Sequence, residues 1–224
     1  SKQKAMRIFI IIIFLFTTNL IIAQKYTLPQ EVVFYGNLQS DDFEGDNFGL
    51  HDSFFPIGWS ADGKFAYLKE SADEAGSYFI GLYIQNAITD KIIEKKVYYS
   101  DDNDELNSIT VNDIWKKNYA TFEYILSKQG IKKSPTIELI KKSSFNINNN
   151  KYDIKLKSKR DDLEGMNYFD AITRAEIYLS CKGLGIKRVY SYNETEGPNV
   201  LDIDIIGYIK SPWEDRIIII SKVS

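Results

Sequence analysis

The side chains that support nucleophilic catalysis are scarce in this chain. His51 is the only histidine and Cys181 is the only cysteine, so a Ser–His–Asp or Cys–His arrangement would have to use His51. Cys181 ends an alternating apolar pattern with Ile177 and Leu179, which predicts a buried and chemically inert thiol. A zinc site of the usual cysteine and histidine type lacks ligands for the same reason.

Acidic loops offer the oxygen ligands that calcium prefers. The first candidate loop contains Asp41, Asp42, Glu44 and Asp46, and the second contains Asp101, Asp102, Asp104 and Glu105. Neither loop has glycine at position 6 and glutamate at position 12, as an EF-hand requires. Solvated loop charge is therefore the simpler interpretation, and we expect no cofactor, with calcium at the first loop as the metal alternative.

Three other kinds of site have weak sequence support. A carboxylate pair can hydrolyse glycosides, but a chain with 31 acidic residues contains many pairs and no spacing that selects one. Gly183-Leu184-Gly185 lacks the third glycine and the helix of a dinucleotide site, which predicts a turn. Aromatic side chains on strands either form a binding platform for a sugar or peptide or pack in cross-strand pairs. The aromatic candidates are Tyr98, Tyr99, Tyr190, Tyr192 and Trp213.

The N-terminus has the pattern of a secretory signal peptide. A short basic region ending at Arg7 precedes an apolar run, and Ala23 is the small residue at the expected cleavage site. The apolar stretch is about 15 residues long, whereas a bilayer-spanning helix needs about 20. We therefore expect residues 1–23 to be cleaved, leaving residues 24–224 as one β-rich domain without a stable membrane span.

Charge and cysteine content limit the partners and the stabilising chemistry. Removal of residues 1–23 takes away three basic residues and no acidic ones, which changes the formal net charge from −3 to −6. A chain this acidic predicts no Lys/Arg-dense face and no nucleic-acid partner. One cysteine cannot form an intrachain disulfide, so the core has to stabilise the exported domain alone.

The β-hairpin predicted at residues 54–68 is the element around which the chain is organised. Asp62-Gly63 is a strong turn signal because glycine adopts positive φ without a Cβ clash. The Ser60 hydroxyl can bond back to the turn backbone, and Trp59 is expected in the core.

Apolar runs separated by short turns predict an antiparallel, mainly β (α+β) fold, either a sandwich or a partial-propeller-like arrangement. The predicted strands cover residues 31–38, 54–59, 64–68, 77–86, 91–99, 136–140, 145–147, 152–156, 174–181, 186–192, 200–210 and 216–223. One amphipathic helix is predicted at about 110–129, capped by Thr110 or Asn112 and ended by Gly130. The run at 217–220 predicts a strand buried on both faces or central in its sheet.

Several short segments resemble a group of exported bacterial proteins. These segments are IGWSADGKFAYL, IQNAITDKI, SKQGI and GYIKSPWEDRIIII, in that order after the signal peptide. The group is classed only as predicted secreted proteins of unknown function. The resemblance implies export and a β architecture, and it implies no catalytic residue.

Our leading hypothesis is a non-enzymatic binding or scaffolding domain, exported to the periplasm or the extracellular space. Its expected partner is an envelope protein, a peptide or a glycan. The alternative is a carboxylate-based extracellular hydrolase, which would bring two or more carboxylates together in one deep pocket.

Overall fold

The computed structural model describes residues 28–33, 53–72, 78–99, 110–134, 137–162, 170–193, 200 and 202–223. These residues form mostly antiparallel β-strands with two helices, which confirms the predicted mainly β fold. The strands are β1 Val32–Val33, β2 Ser53–Trp59, β3 Lys64–Ala72, β4 Tyr78–Asn86, β5 Lys91–Tyr99, β6 Lys132–Lys133, β7 Ser144–Ile147, β8 Asn150–Asp162, β9 Asp170–Cys181, β10 Gly185–Asn193, β11 Ile203–Lys210 and β12 Ile217–Val223. The helices are α1 Val111–Lys117 and α2 Tyr119–Lys128.

The described strands form three sheets. The six-stranded sheet has the order β1-β2-β3-β4-β5, with β6 also paired to β2. The four-stranded sheet has the order β10-β9-β8-β7, and β11 and β12 form a two-stranded ribbon. Consecutive strands pair in each sheet, as expected for short hairpin connections.

The β2–β3 hairpin forms as predicted. Gly63 has a φ of 84°, and Ser60 Oγ accepts a hydrogen bond of 2.8 Å from the Lys64 backbone N–H. Trp59 is buried. The alternation of apolar residues about Asn148-Asn149-Asn150 predicts an asparagine turn, and this turn also forms: Asn148 and Asn149 both have positive φ between β7 and β8.

The predicted helix consists of two consecutive segments. Thr110 caps α1 through a capping box with Asp113, as expected from its side chain. The helix is interrupted at Asn118, whose side chain bonds back to the Ile114 carbonyl at 3.0 Å. The Ile131 N–H donates to the Leu126 carbonyl, which closes the C-terminus in the Schellman pattern.

The helices cover one face of the six-stranded sheet. Their buried side chains are Val111, Ile114, Trp115, Tyr119, Phe122 and Leu126. These residues form one apolar cluster with Leu68, Leu82 and other buried residues of β2–β4. Alternate residues of each strand therefore face the helices, which fixes the register of this sheet.

The ribbon lies between the two larger sheets. Ile218 and Ile220 of β12 share a core cluster with Trp59 and Phe65 of the six-stranded sheet. The alternate side chains of β12 pack with the four-stranded sheet instead, in the cluster that contains Phe145. The prediction that 217–220 is packed on both faces is confirmed, whereas a central place in its sheet is wrong because the described sheet has two strands. The stack of layers matches the sandwich alternative.

The strand predicted at 136–140 is wrong. Residues 137–139 have no regular structure, and Ile140 makes one isolated bridge to Tyr208 of β11. Next to this bridge, the register of β11 against β12 shifts between Ile205 and Gly207. Gly207 lies so close to the Ile140 carbonyl that a Cβ atom would collide with it.

Some predictions lie outside the described residues. These are the signal peptide at 1–23, most of the first strand at 31–38 and both acidic loops. In the part of the chain that is described, no helix is both long enough and apolar enough to cross a bilayer.

Candidate binding surface

The predicted catalytic and metal-binding residues do not form a described site. His51 and the calcium candidates Asp41, Asp42, Glu44 and Asp46 lie outside the described residues, as does the second acidic loop. Cys181 is buried at the end of β9, as predicted, and its Sγ lies 3.7 Å from the Lys182 carbonyl oxygen. No group of three potential metal ligands occurs among the residues for which placement is given.

The predicted aromatic platform is not one surface. Tyr98 packs edge-on against Phe122 of α2, with ring centroids 5.9 Å apart. Tyr99 faces the opposite side of the sheet and pairs with Phe79. Tyr190 and Tyr192 lie on β10, and Trp213 lies in the β11–β12 turn. Cross-strand and helix packing therefore accounts for part of this set.

Three turns meet at one end of the six-stranded sheet, and we call this surface the turn junction. It consists of residues 60–63, 87–90 and 211–216. The Ala87 N–H donates a hydrogen bond of 2.9 Å to the Gly63 carbonyl, which joins the first two turns. The third turn packs on Gly63, where an added Cβ would collide with the guanidinium of Arg216.

The first and third turns are built in the same way. Ser60 and Ser211 are both buried, and each backbone N–H donates to the carbonyl of a residue across the turn. Each hydroxyl also accepts a backbone hydrogen bond, from Lys64 at 2.8 Å and from Trp213 at 3.2 Å. A serine at the base thus satisfies turn N–H groups that would otherwise lose water on burial.

An ion pair within the third turn lies against Gly63 of the first turn. Arg216 Nη1 lies 2.6 Å from Glu214 Oε1, and both atoms are buried. Neither atom has a hydrogen-bond partner within the described part of the chain. A Cβ atom at Gly63 would collide with both Nη1 and Oε1, so a side chain there would displace this pair.

Two large apolar side chains project from the turn junction into solvent. Ile88 is 59% exposed and Trp213 is 54% exposed. Asn86 Oδ1 accepts the backbone N–H groups of Ile88 and Thr89, at 2.8 and 3.1 Å, which fixes the second turn. Both exposed side chains are therefore carried by hydrogen-bonded turns on a rigid sheet, an arrangement typical of binding loops.

An open depression of about 380 Å³ lies beside the second turn. Tyr83, Ile92, Ile93, Glu94 and Lys95 line it, and the register shift between β4 and β5 falls at this place. Ile92 and Ile93 are exposed. The depression thus extends the apolar surface of Ile88 along the edge strand.

Charged groups surround these apolar side chains. Lys64 donates to Asp62 at 2.6 Å, and this hydrogen bond, with a second from Ser60, lowers the pKa of the Asp62 carboxyl. Burial, with Tyr83 and Asp90 nearby, raises the pKa of Tyr67 to about 12, so its hydroxyl stays protonated at neutral pH. An ionised Asp62 and a protonated Tyr67 suit noncovalent contact with a partner. The depression is lined by one carboxylate, that of Glu94, which lies 3.8 Å from Lys128 Nζ.

Comparison of the chain with protein-family models, with curated proteins and with solved structures finds no match. The surface is therefore interpreted from its own geometry.

Sequence reasoning did not find the turn junction. SADGKFAYL and SPWEDRIIII are both serine-led polar turns that enter an apolar strand, but the contact between them joins residues more than 150 positions apart. The available signal was Trp213 in the third turn, because a large aromatic residue is unusual in a polar turn.

Proposed function

We propose that this protein is an exported, non-enzymatic binding domain, and that the turn junction is its contact surface for a protein partner in the envelope or outside the cell. The observation that carries the proposal is Trp213, which is half exposed on a turn with a buried base. Tryptophan is among the residues that dominate binding energy in protein interfaces.

The composition of the surface favours a protein over a glycan as the partner. Ile88 and Trp213 supply apolar contact area, and the edge depression adds Ile92 and Ile93. Charged side chains at the rim include Asp62, Lys64 and Asp215. An apolar centre with a polar rim is the usual anatomy of a protein–protein contact, and three of the four exposed apolar side chains, all except Trp213, are isoleucines that offer a sugar no flat ring to stack on.

The proposal is tested by affinity enrichment from the envelope and secreted fractions of the organism that encodes the chain. The double variant Ile88→Ser/Trp213→Ala should lose the enriched partner, because both apolar anchors are removed. Tyr124→Ala is the matched control, since Tyr124 is equally exposed but lies on α2. Equal enrichment by wild type and the double variant would contradict the proposal.

Export is tested separately. We expect secreted or periplasmic material to begin near Gln24, after removal of residues 1–23, and to have a net charge of −6. Intact mass and N-terminal sequencing decide this point. Full-length chain retained in the inner membrane would contradict cleavage without bearing on the turn junction.

A further inference from the structure

The turn between β9 and β10 carries two aliphatic side chains that are almost fully exposed. Leu184 is 67% exposed and Ile186 is 72% exposed. Gly183, beside them, has a φ of 90°, and an added Cβ there would meet nothing within 4 Å. Leu184 and Ile186 therefore project from a turn that no other described residue covers. We call residues 182–186 the hairpin tip.

Basic side chains flank the hairpin tip. Lys182, Lys187 and Arg188 are all exposed next to it in the chain. Arg188 and Ile186 lie on the same face of β10, because they pair across from Tyr178 and Ser180 of β9. The tip thus combines apolar side chains with positive charge.

The same face of the four-stranded sheet continues the positive charge away from the tip. Alternation along β8 places Lys155, Lys157 and Lys159 on this face, opposite Tyr178, Glu176 and Arg174 of β9. All three lysines are exposed. The prediction that the chain has no Lys/Arg-dense face is therefore wrong. The composition hid this face because the total charge does not show which residues share a face.

Two acidic residues, Asp153 and Glu176, lie on this face, and both are paired with basic neighbours; Asp153 Oδ1 lies 3.6 Å from Lys151 Nζ. Glu176 Oε1 accepts from Arg188 at 2.7 Å and from Arg174 at 3.0 Å, and Tyr178 donates to Oε2 at 2.9 Å. Two guanidinium groups share one carboxylate, so a net positive charge remains there. Together with the lysines of β8, this gives the sheet a cationic outer face.

We propose that the hairpin tip docks on a lipid bilayer surface rich in anionic lipid. Leu184 and Ile186 enter the interfacial region, and the flanking cations contact the headgroup phosphates. Apolar side chains next to basic ones are the combination that binds such interfaces. The contact is peripheral, and it is independent of the turn junction.

The exposed apolar side chains of the hairpin tip favour a bilayer over a soluble polyanion as the partner. A nucleic acid or an acidic polysaccharide would contact the cations but would give Leu184 and Ile186 no apolar environment. The aromatic ring on the face is not available for stacking on bases, because Lys157 Nζ lies 5.2 Å from the Tyr178 ring centroid and Glu176 holds the hydroxyl. Both observations favour lipid.

Vesicle cosedimentation of the full chain tests the proposal, with vesicles of phosphatidylcholine alone or with about one third phosphatidylglycerol. Leu184→Ser/Ile186→Ser should weaken binding to the anionic vesicles about tenfold or more, from lost apolar burial. Lys155→Gln/Lys157→Gln should weaken it roughly fivefold for each charge removed. The matched controls are Ile88→Ser and Lys116→Gln, which change equivalent exposed residues elsewhere. Vesicle binding that the tip substitution leaves unchanged would overturn the proposal.

A second measurement reports on the hairpin tip itself, independently of any contribution from the apolar N-terminal segment. In Leu184→Trp, the added tryptophan emission should be quenched by vesicles containing brominated lipid, and in Ile88→Trp it should not. Absence of quenching in Leu184→Trp would overturn the proposal. Binding of an acidic polysaccharide or DNA that displaces the vesicles and depends equally on Leu184 would also overturn it. Neither result would alter the turn junction, which lies on other turns.

Discussion

The six-stranded and four-stranded sheets are built from the same antiparallel hairpins but differ in how many faces are covered. Strand β2 is buried along almost its whole length, because the helices cover one face and the ribbon covers the other. Strand β10 is exposed along almost its whole length. The four-stranded sheet packs one face on the ribbon and turns lysines and arginines outwards. The number of covered faces, rather than the topology, thus decides which sheet is core and which is surface.

The largest loss of stability should come from Trp59→Ala. Trp59 is 1% exposed and packs against Phe65, with ring centroids 4.8 Å apart, between the six-stranded sheet and the ribbon. Removing a buried aromatic side chain of this kind costs about 3–5 kcal/mol. Denaturant unfolding measures the change, and wild-type stability in this variant would show that the ribbon does not pack there.

The same substitution in both sheets sharpens the comparison. Ile84 of β4 is fully buried, whereas Ile186 of β10 is largely exposed. Ile84→Ala should cost about 2–5 kcal/mol. Ile186→Ala should change the free energy of unfolding by about 0.5 kcal/mol or less. Equal costs would mean that the outer face of the four-stranded sheet is covered in the folded protein.

Valine substitutions at two turn glycines distinguish the cost of backbone strain from the cost of a packing clash. Gly63 and Gly183 both have positive φ, so valine at either position costs about 1–2 kcal/mol in strain. At Gly63 the new side chain must also displace Arg216, whereas at Gly183 the space is open. Gly63→Val should therefore be the more destabilising of the two in urea unfolding. Equal losses of stability in the two variants would contradict the packing of the third turn on Gly63.

The smallest expected change in stability concerns Glu176, on the charged face of the four-stranded sheet, and it depends on pH. The hydrogen bond from Arg188, with those from Tyr178 and Arg174, lowers the pKa of Glu176 from 4.5 to about 2. Its stabilising contribution is therefore fully present above pH 4.5 and is lost as the pH falls through about 2. The stability difference between wild type and Glu176→Gln should shrink between pH 5 and pH 2. Urea midpoints at several pH values measure this, and a difference independent of pH would contradict the network.

Local signals in the sequence predicted much of the fold. Asp62-Gly63, Asn148-Asn149 and the Thr110 cap each act within a few residues, so the hairpins and the helix start follow from local chemistry. The break at Asn118 coincides with a local side-chain bond to the Ile114 carbonyl, whereas the absence of a strand at 137–139 depends on tertiary contacts. An apolar run such as Ile137–Ile140 fits a strand or a buried irregular segment equally well.

The candidate surfaces were harder to predict than the fold. The turn junction joins Gly63 to Arg216, and no local pattern indicates that two distant turns meet. The basic face was missed because total charge does not show how β8 alternates. The lysines at 155, 157 and 159 were a usable signal, since period-2 alternation puts them on one face.

Site-specific photo-crosslinking in living cells tests the proposed binding surface most directly. A photoreactive phenylalanine analogue would be placed at position 213 in the turn junction and, as the control, at position 124 on α2. We expect one discrete adduct from position 213 that disappears when Ile88→Ser is added, and no such adduct from position 124. The same adducts from both positions, or none from position 213, would contradict the account of the turn junction as a binding surface.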